Sequence, residues 1–161
     1  MKEVFIARDN IITSLGFTTS ENMERMEKGL SGLRLTHDNL LSPTTLPLSL
    51  VETETLEERF QNILELYNKT EDADSFTRLE KLFIVSIQRA LHNLPYNLRG
   101  PKTLLVISTT KGNINLLEKR YQGLYNEKRL FLWEMGRVIR DFFGFANQPL
   151  IISNACISGL M

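Results

Sequence analysis

Leu150-Ile151-Ile152-Ser153-Asn154-Ala155-Cys156-Ile157-Ser158-Gly159 is the stretch on which the fold turns. Pro149 introduces a short strand-forming run, Leu150 to Ser153, and the only cysteine of the chain follows it by a sharp turn of small residues. Ser158-Gly159 lets a helix begin at once, so the stretch reads as a strand-to-helix elbow. In α/β enzymes such an elbow holds a nucleophile exposed, and a helix N-terminus favours the thiolate of a cysteine. A free cysteine is also commonly a small buried hydrophobe, and the local spacing leaves both readings open.

Upstream, Thr103 to Thr109 is an almost unbroken β-branched and aliphatic run, as a strand buried on both faces should be. Between the two strands, Lys111 to Gly123 reads as helical with a weak apolar stripe. Leu130 to Phe143 reads as a helix built on Leu132, Trp133, Gly136, Ile139 and Phe143, with Gly144 as its cap. Further back, Thr77 and Glu80 open a helix whose Leu79, Leu82, Phe83, Ile87, Ala90, Leu91 and Leu94 face inward and which Pro95 ends. Acidic Glu71 to Asp74 is a solvated connector. Thr55 and Glu58 form a capping box before Leu56, Phe60, Ile63, Leu64 and Tyr67 at helical spacing, and Thr18 with Glu21 forms another before a helix that stops at Lys28-Gly29. Pro43 and Pro47 mark Ser31 to Leu50 as loop, and Val4 to Ala7 reads as a first strand. Strands separated by long helical connections imply parallel pairing, hence an α/β fold with helices against a sheet.

The 161 residues are the size of one ordinary domain, residues 1–161, and 19 basic against 19 acidic side chains disfavour a nucleic-acid surface. The longest aliphatic runs are far short of the roughly 20 residues needed to span a bilayer, so no membrane segment is expected. A single cysteine excludes an intrachain disulfide, and with Met1 read as a native start and no signal-peptide core after Lys2, a cytoplasmic location is expected.

Several segments, in order, resemble the N-terminal half of the β-ketoacyl-acyl carrier protein synthases, the condensing enzymes of the thiolase-like superfamily. The strand Val4 to Leu15-Gly16, the element Met23-Glu24-Arg25-Met26-Glu27-Lys28-Gly29-Leu30-Ser31-Gly32-Leu33-Arg34, the helix Thr77 to Leu94, the strand Thr103 to Thr109 and the helix before Ile151-Ile152-Ser153-Asn154-Ala155-Cys156 keep family order. The resemblance implies a thiolase-like fold, layered helices on a mixed, mainly parallel sheet, with Cys156 as the acyl-accepting nucleophile. It implies decarboxylative Claisen condensation with malonyl-acyl carrier protein, in fatty acid or polyketide-type biosynthesis, without a cofactor or metal. The family's two active-site histidines, its lysine and an oxyanion-hole donor belong to a second half, which this sequence, ending at Met161, does not contain. Asn154, Cys156, Ser158 and Gly159 are also similar to the thiolase nucleophile motif, so coenzyme A thioesters are an alternative donor; a non-catalytic companion subunit is another alternative.

Neither His37 nor His92 lies in a family motif, and both are expected to be structural or solvent-facing. Lys111, Lys119 and Arg120 are expected on a solvated face, and Trp133 and Phe142 in the core. The resemblance further implies a homodimer through Leu150 to Ser153, or a separate downstream chain against the open side of the sheet. Its other expected partners are acyl carrier protein and acyl and malonyl thioesters.

Overall fold

The computed structural model describes residues 3–39, 42–95 and 97–160, and it is a mixed α/β chain of two compact units. The first unit comprises residues up to Thr70 together with Val85–Asn93; the second comprises Glu71–Ile84 and the residues from Leu94 on. The readings that placed Met1, Lys2 and Met161 lie outside the described residues.

In the first unit, α1 (Thr19–Glu27) begins where the sequence indicated. The Thr18 hydroxyl accepts from the Glu21 N–H at 3.1 Å, and the Glu21 carboxylate accepts from the Thr18 N–H at 3.1 Å. Gly29 at φ +70° ends it, with the Leu30 N–H reaching back to the Arg25 carbonyl at 3.0 Å. The loop expected over 31–50 contains a hairpin, β1 (Arg34–Thr36) antiparallel to β2 (Leu46–Leu48), in which Leu35 faces Pro47. A two-stranded ribbon has only edge strands, where a proline is tolerated. α2 (Thr53–Leu66) starts two residues before the Thr55 capping box and has no side-chain cap. Its driving force is burial: Leu56, Phe60, Ile63 and Leu64 are all in the core. The expected strand over 4–7 is absent. Val4, Phe5 and Ile6 are at least 79% exposed and belong to no strand among the described residues, so the apolar run has no ladder to join. The chain instead curls at 10–17, where the buried Asn22 amide donates to the carbonyls of Ile11, Gly16 and Thr18.

α3 (Arg78–Leu91) is shared in sequence by the two units and is capped by Thr77 and Glu80 as expected. It ends at Leu91, before the expected Leu94 and Pro95, because Asn93 takes a left-handed φ of +60°. Its most buried positions are Glu80, Lys81, Ile84 and Val85, while the expected inward set is only half-buried.

The second unit holds the parallel pair that the sequence implied. β3 (Val106–Ser108) and β4 (Leu150–Ile152) pair Val106 with Leu150, Ile107 with Ile151 and Ser108 with Ile152. Flanking bonds from Leu150 N–H to Leu105 carbonyl (2.9 Å) and Thr109 N–H to Ile152 carbonyl (3.0 Å) extend the ladder. The strand is shorter than 103–109 and is not buried on both faces: Ile107 is 2% exposed, Val106 49%. α4 (Leu132–Phe143) covers the inner face with Met135, Val138, Ile139, Phe142 and Phe143, and Gly144 at φ +73° ends it as expected. Phe76 and Phe142 meet edge to face, as do Phe142 with Phe143 and Phe143 with Phe145. A Cβ on Gly136 would lie 2.5 Å from Ile151 Cδ1, so the missing side chain lets α4 approach β4 closely. The helix expected over 111–123 is not formed; residues 114–130 carry 3₁₀ turns at Ile114–Leu117, Lys119–Tyr121 and Glu127–Leu130. Positive φ at Gly112 and Gly123 interrupts any longer helix, and the last of these turns takes Leu130, expected at the start of α4, while Phe131 becomes the N-cap of that helix.

Candidate functional site

Parallel pairing sets the carboxyl ends of β3 and β4 side by side, which is where open α/β sheets carry their sites. The loop after β3 and the turn after β4 touch there. The Thr110 hydroxyl donates to the Ala155 carbonyl at 3.0 Å, and the Gly112 N–H donates to the Thr109 hydroxyl at 3.1 Å.

The turn is held by Ser158. Its buried hydroxyl accepts from the Asn154 N–H and donates to the Ala155 carbonyl, both at 2.7 Å. Ala155 sits at φ +46°, a left-handed conformation that costs a β-carbon-bearing residue roughly 1–2 kcal/mol and persists only where its surroundings impose it. Two hydroxyls converging on the Ala155 carbonyl supply that constraint. Cys156 comes next in the chain and is exposed, which excludes the buried-hydrophobe reading and leaves the thiol accessible. Where a helix was expected to begin, Ser158–Leu160 form a 3₁₀ turn.

Of the residues singled out in the sequence, Asn154, Cys156 and Ser158 stand in this constellation. His37 and His92 are exposed residues of the first unit, in keeping with a solvent-facing role. Lys111, Lys119 and Arg120 are exposed as expected; Arg120 pairs with Glu118 at 2.8 Å and lies over the Tyr121 ring. Phe142 is in the core as expected, but Trp133 is not: it is 54% exposed and stacks on Phe131, 6.0 Å between ring centres. Among the described residues no cluster of His, Cys, Asp and Glu could hold a metal ion, and no helix is long and apolar enough to cross a membrane.

Thr110 was not legible as a site residue, because its role is a hydrogen bond to a carbonyl that strand pairing brings to it. A second cluster was only half legible: Thr77 and Glu80 read as a helix cap, and the structure adds Asn113, whose amide oxygen accepts from the Thr77 hydroxyl at 2.8 Å, and Arg129, paired with Glu80. The chain matches no protein-family model, no curated protein and no solved structure, so its function has to be argued from this turn and its neighbours.

Proposed function

We propose that this chain is the N-terminal segment of a condensing enzyme like the β-ketoacyl-acyl carrier protein synthases, within a thiolase-like fold, and that Cys156 is its acyl-accepting nucleophile. The observation that carries the reading is the exposed Cys156 on a constrained turn at the carboxyl end of a parallel pair. In this scheme the Cys156 thiolate adds to the carbonyl of an acyl thioester, and the tetrahedral intermediate collapses with loss of the donor thiolate, leaving an acyl-enzyme. Malonyl on a carrier protein then loses carbon dioxide, and the resulting carbanion attacks the acyl-enzyme carbonyl and releases Cys156. Proton handling and oxyanion stabilisation for the second step come from histidines, a lysine and a backbone donor that lie, by resemblance, outside these 161 residues.

The partners in this reading are acyl carrier protein and a twin chain pairing along 150–153, or a downstream chain against the open sheet. Among the described residues β4 pairs with β3 only, which leaves its other edge for such a strand. The test is mass spectrometry of the chain, with and without the segment or subunit that completes it, after incubation with acyl-carrier protein and malonyl-carrier protein. An acyl adduct on Cys156 that Cys156→Ser abolishes, with ketoacyl product only in the completed protein, is expected. Acyl labelling that survives the substitution would sink the assignment.

A further inference from the structure

Asn113 and Arg129 are 16 positions apart, and both close on the same carboxylate. The Asn113 amide donates to Glu80 Oε1 at 3.2 Å and to the Arg129 carbonyl at 3.1 Å. Arg129 donates through Nη1 to Glu80 Oε2 and through Nη2 to the Ser75 carbonyl at 3.1 Å. Residues 114–128 therefore leave and return at one point, as an Ω-loop does, and the neck is closed by side chains instead of strand pairing. Inside the loop the backbone bonds are short-range: Glu118 to Asn115, Tyr121 to Glu118, Gln122 to Lys119, Leu124 to Tyr121. Ile114, Leu117 and Leu124 are more than half exposed, so they add little to the core of the unit. Tyr125 reaches outward with a long hydrogen bond to the Phe76 carbonyl, 3.4 Å. A half-open groove of about 520 Å³, lined by Leu116, Tyr121, Tyr125, Leu130 and Phe131 among others, runs along the loop.

We propose that residues 114–128 are a flap that opens as one unit and that the Glu80 carboxylate is its latch. Glu80 is fully buried, so its charge is tolerated while Arg129 and Asn113 face it, and the two ends of the flap are held together while Glu80 faces them. The latch is mounted on α3 through the capping box with Thr77, whose hydroxyl also donates to the Asn113 amide oxygen at the neck, 2.8 Å. Gly112 at φ +53° and Gly123 at φ +78° place glycines at the neck and in the body of the loop, where the backbone can swivel at little cost. The neck begins three residues after Thr110, whose hydroxyl holds the Ala155 carbonyl, and the groove is walled mostly by the flap itself, so opening the flap reshapes it.

Amide hydrogen exchange of the full chain, resolved by peptide, tests this. Peptides within 114–128 are expected to exchange together, faster than those of α4 yet slower than unprotected amides, and Glu80→Gln is expected to speed them at least tenfold while leaving α4 unchanged. Should that variant not fold, exchange of the unmodified protein at low urea reads the same point, with 114–128 opening in a step separate from α4. The proposal fails if 114–128 exchanges at unprotected rates in the unmodified protein, if it opens only together with α4, or if a folded Glu80→Gln protein leaves its protection intact.

Discussion

Gly112→Ala is the substitution whose cost can be worked most directly from the structure. Gly112 is at φ +53°, and a Cβ there would lie 2.4 Å from Leu132 Cδ2. The left-handed conformation costs alanine roughly 1–2 kcal/mol, and the stiffer unfolded chain returns roughly 0.4–1, which leaves about 1 kcal/mol of destabilisation. Overpacking adds roughly 1–3 kcal/mol, toward the low end because Leu132 Cδ2 is the far end of a rotatable side chain, so the total is about 2–3 kcal/mol. Gly144→Ala calibrates the first term: it has φ +73°, and its nearest neighbour is the flexible Arg99 guanidinium at 3.3 Å, so about 1 kcal/mol is expected. Both glycines lie in the unit that holds Trp133, the sole tryptophan, so urea titration by tryptophan fluorescence reads both. Leu132→Ala removes the atom in the way, and the double variant Gly112→Ala/Leu132→Ala should recover stability relative to additivity. Equal costs for Gly112→Ala and Gly144→Ala, or strict additivity of the double variant, would refute the argument.

Ser158→Ala removes the hydroxyl that accepts from the Asn154 N–H and one of the two donors to Ala155, at roughly 0.5–1.5 kcal/mol per hydrogen bond; faster exchange of the Asn154 amide by nuclear magnetic resonance, with α4 unchanged, is the expected result. Arg137 grips both oxygens of the Glu134 carboxylate at 2.8 and 2.6 Å, and this ion pair holds the Glu134 pKa below its ordinary value. A depressed folded pKa means stabilisation that is present above the unfolded value, about 4.3, and is lost as pH falls through the folded one. Glu134→Gln should therefore flatten the decline of the urea midpoint below about pH 4.5, and an unchanged slope would remove the pair as its cause.

What could be read from the sequence is what is local. The capping boxes of Thr18 and Thr77, the glycine stops after Lys28 and Phe143, and the strand 150–152 each depend on a few adjacent residues, and each stands close to where the pattern put it. Errors fall where a distant partner decides. The run at 4–7 has strand-like residues but no neighbouring strand; 34–36 and 46–48 lie in the stretch that Pro43 and Pro47 mark as loop, yet pair with each other; Glu80 is among the most buried residues of α3 because Asn113 and Arg129 come to it. The same division runs through the candidate site. Cys156 and Ser158 stand together in one short turn after a strand, while Thr110 matters only through a carbonyl that the parallel register brings to it.

That register also bears on the order in which the chain acquires structure. Val106 meets Leu150 about 40 residues later, whereas Arg34 meets Leu48 across a connection about a third as long, and closing the longer loop costs more chain entropy before any contact rewards it. The hairpin of the first unit can therefore appear early from neighbours in sequence. The β3–β4 pair must wait for α4 to fold back and bring β4 within reach. The Thr110 bond to Ala155 exists only in the closed pair, so the turn that presents Cys156 can take its local Ser158 bonds early but gains its second constraint only when β3 and β4 meet.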